Sequence, residues 1–227
     1  MLLTIERFLP PDEVARFRAE LARANWIDGR SSAGTLAVHV KNNEQLDAQS
    51  PVARTLANDL LARLGHHPTF VAATMPKHIQ APRFNRYRGS QGYGLHVDGA
   101  IMPLTGSRDV MRSDVSATLF LSDPAAYDGG ELTVETPFGA QQVKLPAGDL
   151  VLYPASSLHR VEPVTRGERM AAFFWVQSLV PDDTERSLLF DLDRTIQSLA
   201  RTRPHDDADL LQLTCVYHNL VRRFAEV

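Results

Sequence analysis

The apolar positions change rhythm twice along the chain. Near the start, Val14, Phe17, Leu21 and Ala24 recur at helical spacing behind Pro10-Pro11-Asp12-Glu13, where prolines and acids suit a first turn. A second helix is predicted from Ser50-Pro51 to a stop at Gly65, with Val52, Leu56, Leu60 and Leu64 along one side. Between the two, Ser31 to Thr35 and Lys41-Asn42-Asn43 read as polar turns around the short apolar piece Leu36-Ala37-Val38.

From Phe70 onward the rhythm is that of short β-rich runs punctuated by Gly, Pro, Asp and Asn. They fall near Phe70 to Thr74, Ile79 to Arg88, Asp114 to Leu121, Glu131 to Glu135, Gln141 to Leu145, Asp149 to Tyr153 and Met170 to Gln177. No helical pattern lies between them, so an open parallel sheet is excluded, and a double-stranded β-helix, or jelly roll, is predicted. The mouth of such a barrel lets side chains from distant strands converge. Past Ser178 the helical rhythm returns, with Leu188, Leu189, Leu192, Ile196 and Leu199, a break at Arg203-Pro204-His205, then Leu210, Leu213, Tyr217, Leu220 and Phe224. The predicted fold is thus α+β and mainly β, with residues 1–178 holding supporting helices and a core barrel of about 78–178, and residues 179–227 a helical tail. Two helices this short are marginal alone and should dock on the barrel or on another subunit, which makes a homo-oligomer through the tail one expectation. Cys215, among them, reads as a buried small side chain.

Composition narrows the class of protein. With 227 residues, 44% hydrophobic and 22% charged, the chain can bury a sizeable core. No apolar run approaches the roughly 18 residues of a membrane helix, and Met1 to Arg7 lacks the layout of a secretory signal, so a cytoplasmic protein without membrane partners is expected. The single cysteine excludes an internal disulfide framework and agrees with a reducing compartment. A net charge of −3 argues against nucleic-acid binding.

The chemistry concentrates in Tyr93-Gly94-Leu95-His96-Val97-Asp98-Gly99. In an extended segment, residues two apart point the same way, so His96 and Asp98 aim an imidazole and a carboxylate at one point. The candidate third ligand is His159, just beyond the apolar run Leu150 to Tyr153. Two histidines and one carboxylate match the facial triad that holds non-haem Fe(II) and leaves positions open for substrate and dioxygen. Ten residues after His159, Arg169 enters another strand-like run. A buried guanidinium there wants an anion, and its fork suits the carboxylate of a dicarboxylate reaching from the metal. The remaining histidines, His39, His66, His67, His78, His205 and His218, lack partners at ligand spacing, and His66-His67 reads as an exposed turn.

The order His96, Asp98, His159, Arg169 resembles that of the iron- and 2-oxoglutarate-dependent dioxygenases. Pro82-Arg83-Phe84-Asn85-Arg86-Tyr87, the hairpin-like Tyr127-Asp128-Gly129-Gly130-Glu131-Leu132 and Tyr153 to Val161 further resemble the bacterial PKHD-type hydroxylases, including PiuC-like members linked to iron uptake and related to prolyl 4-hydroxylases. The resemblance spans nearly the whole chain, including the helical tail. It implies Fe(II) held by His96, Asp98 and His159, 2-oxoglutarate clamped by Arg169, dioxygen as co-substrate, L-ascorbate keeping the iron reduced, and hydroxylation of an unidentified prime substrate, either a small molecule or a peptidyl side chain. It also implies that Tyr87 faces the co-substrate; a tyrosine that merely stabilises the barrel edge is the competing reading. Asn85 reads more simply as a barrel residue than as a substrate contact.

Rival readings have their own residues. Zinc also takes two histidines and a carboxylate, but the zincin helix motif is absent and Arg169 has no role in hydrolysis, so iron is expected. Halogenation is disfavoured because Asp98 supplies the carboxylate that the superfamily's halogenases lack. The alternative from another class is a metal-dependent sensor or binding protein in iron homeostasis, signalling through the tail without turnover. Residues 99–113 are long for a strand connection and read as a candidate lid. Arg108, Arg112 and Arg160 could meet an anionic substrate, although solvated surface charge is the simpler reading for each.

Overall fold

A computed structural model describes residues 1–32, 34–104 and 107–227. The first part of the chain forms β1 (Leu3–Ile5), α1 (Pro11–Ala22), β2 (Trp26–Asp28), β3 (Lys41–Asn42), β4 (Glu44–Leu46), α2 (Pro51–His66) and α3 (Pro68–Thr74). The middle forms β5 (Pro76–Ile79), β6 (Arg83–Arg88), β7 (Gly92–His96), β8 (Ile101–Pro103), β9 (Val110–Arg112), β10 (Val115–Phe120), β11 (Tyr127–Gly129), β12 (Leu132–Thr136), β13 (Gly139–Val143), β14 (Leu150–Pro154), β15 (His159–Val161) and β16 (Val164–Ser178). Two helices follow, α4 (Asp183–Ala200) and α5 (Ala208–Phe224).

Among the described residues the strands make a large sheet ordered β1-β14-β10-β16-β6-β4-β2, with β5 and β11 also paired to β16, and a smaller sheet ordered β13-β12-β15-β7-β3. Their pairings are antiparallel. The two layers face each other as the jelly roll that the β-rich runs predicted. The centre of the large sheet is buried on both faces. Leu150 and Leu152 of β14 pack with Phe17, Leu21, Leu56, Phe70 and Phe84 under the helices, while Val151 and Tyr153 join Tyr87, Phe120, Leu132 and Val161 between the sheets. Burying each such side chain is worth roughly 1.5–3 kcal/mol, so the helix layer is what anchors the sheet that lines the barrel.

Several elements depart from the sequence expectation. Phe70 to Thr74 is helix, not strand: Pro68 opens α3, the His67 ring accepts from Phe70 N at 3.3 Å, and Met75 closes it with φ 42°. A run this short carries no periodicity that separates helix from strand. His67 is therefore a helix cap, and α2 runs through Gly65 to His66 instead of stopping. The run Ile79 to Arg88 splits into β5 and β6 around Pro82, which has no N–H for a ladder. Gly129 and Gly130, both at positive φ, do not turn a hairpin. They carry the chain from β11, paired to β16, across to β12, paired to β13 and β15. At Gly129 a Cβ would stand 2.0 Å from Pro163 O, so only glycine passes there.

In the tail, Asp182 and Asp207 cap α4 and α5 by accepting from Glu185 N and Leu210 N, each at 2.9 Å. Arg186, 2% exposed, donates to Val180 O and Pro181 O and fixes the bend from β16 into α4. Phe190 of α4 reaches the helix-side core, whereas α5 fully buries only Leu210 among the described residues. Cys215 is exposed, contrary to expectation, because the shallow docking of α5 leaves that face open. No described helix is long and apolar enough to cross a membrane.

Candidate active site

His96 and His159 stand directly opposite each other where β7 pairs with β15, their ring centroids 4.2 Å apart. His96 is the last residue of β7, and Asp98 lies two residues past the strand end instead of on it. Asp98 Oδ2 comes within 3.7 Å of His159 Nε2 and accepts a 2.6 Å hydrogen bond from Ser116 Oγ in β10. The Nδ1 atoms of His96 and His159 face the carbonyls of Gly94 and Ser157 at 2.8 and 3.0 Å. A carbonyl can only accept, so each Nδ1 carries a proton, and in the neutral ring it is Nε2 that keeps the lone pair. Tyr93 stacks on His96 at 3.6 Å, and Tyr153 meets His159 edge-on at 5.1 Å. One donor atom from each of His96, Asp98 and His159 lies within 4.8 Å of the others, a grouping that could hold a metal ion. Burial first, and the neighbouring His159 second, lower the His96 pKa to about 4, so its ring is neutral at physiological pH, as a metal ligand must be.

These residues line one cavity of about 960 Å³, together with Arg169, Tyr87, Asn85 and Arg83. Arg169 is 1% exposed, its guanidinium lies 5.4 Å from the Tyr87 ring and 5.1 Å from the Phe120 ring, and its Nε has no partner among the described residues. A buried cation without a counter-ion is costly unless a ligand supplies the charge. Tyr87 opposes Arg169 across the β6–β16 ladder, and burial raises its pKa, keeping the hydroxyl protonated and able to donate. Asn85 points its Nδ2 toward Tyr87 Oη at 3.5 Å and leaves Oδ1 without a partner among the described residues, so it lines the cavity rather than the barrel edge.

The remaining expectations divide. Arg112 is spent on Asp114 and Glu226, and Arg160 on Glu162 and Glu135, so both are the solvated charges of the simpler reading; Arg108 is exposed. The segment 99–113 folds as the hairpin β8–β9, whose Ile101, Met102 and Pro103 line the cavity, while Thr105 and Gly106 of this candidate lid lie outside the described residues. His78 sits in β5 opposite Gln177. Sequence reasoning missed Ser116, the one signal for which is a hydroxyl inside a strand buried throughout. It also missed Lys41, which lines the cavity, donates to Ser32 Oγ at 2.8 Å and has its pKa lowered to about 8 by burial and then by Arg83.

Comparison with known proteins bears on what this arrangement does. Residues 82–177 match the 2OG-Fe(II) oxygenase superfamily, and residues 183–226 match the PKHD-type hydroxylase C-terminal domain. A PKHD-type hydroxylase of Teredinibacter turnerae is 57% identical over 100% of both chains, and the PKHD-type hydroxylase YbiX of Escherichia coli O8 is 50% identical over 100% of both. Among solved structures, a prolyl-4-hydroxylase of Pseudomonas putida superposes with TM-score 0.54 at 22% identity, covering 78% of this chain and 92% of its own, a likeness of fold. Matched from end to end at this level, with barrel and tail each recognised in order, the chain belongs to the PKHD-type hydroxylases, oxidoreductases of the 2OG-Fe(II) oxygenase superfamily that use Fe(II) and 2-oxoglutarate.

Proposed function

We propose that His96 and His159, through Nε2, and Asp98, through its carboxylate, hold Fe(II), and that Arg169 and Tyr87 anchor 2-oxoglutarate in the same cavity. The observation that carries this reading is the pairing of two carbonyl-fixed imidazoles and a serine-held carboxylate with a buried guanidinium whose Nε has no partner among the described residues. When bound, iron and 2-oxoglutarate would supply the chemistry that splits dioxygen, one oxygen atom going to succinate as 2-oxoglutarate loses carbon dioxide and the other to the hydroxyl formed at a C–H bond. The chain's own residues bind and orient. Gly94 O and Ser157 O keep both rings in the ligating tautomer, Ser116 turns Asp98 toward them, and Arg169 matches the distal carboxylate with two parallel N–H donors. Val161, Leu132 and Tyr153 wall the site against water.

Iron, not zinc, follows from this arrangement, because Arg169 has work in holding a dicarboxylate and none in hydrolysis. The prime substrate is a small molecule or a peptidyl side chain, admitted past the β8–β9 hairpin. Ascorbate as reductant, a place in iron uptake and the cytoplasm as location belong to the same reading. So does a division at residues 178/179, with the tail presenting the exposed Leu188, Leu211 and Val216 to a second copy. The sensor alternative has no observation in its favour. The test is an anaerobic titration of the Fe(II)-loaded chain with 2-oxoglutarate, following the visible metal-to-ligand charge-transfer band. A saturable band that Arg169→Ala or His159→Ala weakens is expected; no band at stoichiometric iron overturns the reading.

A further inference from the structure

The cavity holds more positive charge than iron and 2-oxoglutarate can use. On the reading above, the charges of Fe(II), Asp98, 2-oxoglutarate and Arg169 cancel. Two cations are left over, Arg83 and Lys41, both lining the same cavity. Arg83 makes no hydrogen bond and no ion pair among the described residues, and burial alone lowers its basicity. Lys41 is 5% exposed and donates to a hydroxyl, Ser32 Oγ, with no carboxylate in ion-pair contact among the described residues, although Asp98 and Asp28 favour its charge from further off. Arg83 disfavours the charge on Lys41, a standing cost that an anion between them would remove.

Register separates Arg83 from the 2-oxoglutarate anchor. On the ladder between β6 and β16, Arg169 stands opposite Tyr87, Ala171 opposite Asn85 and Phe173 opposite Arg83. Arg83 is therefore on the cavity face with Tyr87 but four residues away, roughly 13 Å along the strand. One step further along β16, Trp175 pairs with Ser116, the residue that holds Asp98. Along β16, Arg83's row thus lies two residues from the row that carries Ser116, and Arg169's lies six. Phe173 and Trp175, edge to face at 5.5 Å, flank Arg83's row, and the mouth beyond carries exposed Leu36, Val97 and Ile101.

We propose, on the basis of the oxygenase reading, that the prime substrate is an organic anion whose oxyanion group is held by Arg83 and Lys41 while its apolar or aromatic body lies along Phe173 and Trp175. The oxyanion orients the substrate and the aromatic wall positions the bond to be hydroxylated, so neither cation takes part in the chemistry itself.

The test uses the full chain loaded with Fe(II) and saturating 2-oxoglutarate under argon, with the charge-transfer band recorded first. Benzoate and its neutral isostere benzamide are the probes, followed by equilibrium dialysis. Benzoate should bind at least about tenfold more tightly than benzamide, the worth of one charge-assisted hydrogen bond. Arg83→Gln should erase the preference and Lys41→Met should reduce it, with the band intact in both. Equal affinity for the two probes in the wild-type chain, or no binding of either, overturns the proposal without recourse to any variant. So does benzoate that displaces 2-oxoglutarate and bleaches the band, because the cations then serve the co-substrate. Absence of the band from the wild-type chain overturns instead the oxygenase reading, and this proposal with it.

Discussion

Replacing Ser116 with alanine isolates what the orientation of the metal-site carboxylate is worth. Ser116 is 2% exposed and spends its hydroxyl on Asp98 Oδ2 at 2.6 Å, while its backbone pairs with Tyr153 on one side and Trp175 on the other. Alanine keeps both ladders and removes one hydrogen bond. A bond to a charged group contributes roughly 1.5–3 kcal/mol, and about 1.4 kcal/mol is a factor of ten in affinity. Loss of an outer partner of a metal ligand typically costs about 10–100-fold in binding, the same range reached independently. S116A should therefore bind Mn(II), an air-stable substitute for Fe(II), about 10- to 100-fold more weakly in competition with a chelating dye, with an unchanged circular dichroism spectrum. A drop of less than about twofold in a folded variant would mean that the backbone beyond β7 alone holds Asp98, and the argument from Ser116 would be wrong.

Three further outcomes follow from the same geometry. Arg169→Met exchanges a buried guanidinium, without an ion pair among the described residues and with its Nε unpartnered there, for an apolar side chain, so the ligand-free chain should be at least as stable as wild type while losing the rise in Tm that Mn(II) with 2-oxoglutarate gives; a retained rise removes Arg169 from the site. In the metal-free chain the His96 pKa is lowered from 6.5 to about 4, so the unfolded chain binds the extra proton between those values. Stability should be full above about pH 6.5 and decline toward pH 4, by on the order of 3 kcal/mol from this group; equal urea midpoints at pH 5 and 7.5 refute it. Gly130→Ala places a Cβ 3.0 Å from Arg169 Cδ at φ +68°, so it should cost about 1–3 kcal/mol and weaken the thermal response to 2-oxoglutarate. Gly139→Ala, at φ +105° with nothing within 4 Å, should cost stability alone.

What the sequence discloses tracks how local the cause is. The helices α1, α2, α4 and α5 are legible because their apolar stripes and caps lie within one segment, and His96, Asp98, His159 and Arg169 stand out because their side chains have few other uses at those spacings. Phe70 to Thr74 is illegible because its helix is decided by Pro68 and the His67 cap, outside the apolar run. Short strands such as β1 and β3 carry too few residues for a period and exist only because β14 and β7 offer an edge. Strand alternation sets Arg83 on the face of Tyr87, but that this face lines the cavity, and that Ser116 and Lys41 reach it, is decided by pairings between strands far apart in the chain.

The same pairings explain why so few residues suffice to define the site. Because the centre of the large sheet is buried on both faces, β14, β10, β16 and β6 send alternate side chains to the helices and to the space between the sheets. A one-residue slip of β14 would push Leu152 into the place of Tyr153 beside His159 and force the tyrosine's hydroxyl among Phe17, Leu56 and Phe84. The same slip in β10 would replace Ser116 by Ala117 or Val115 against Asp98. The helix-side core, remote from the metal-binding group, is thus what holds Ser116, Arg83 and Tyr87 in register with the smaller sheet's histidines. Substitutions such as Phe84→Ala, with a cost of about 3–5 kcal/mol for a buried phenylalanine, should disturb metal and 2-oxoglutarate binding without touching either.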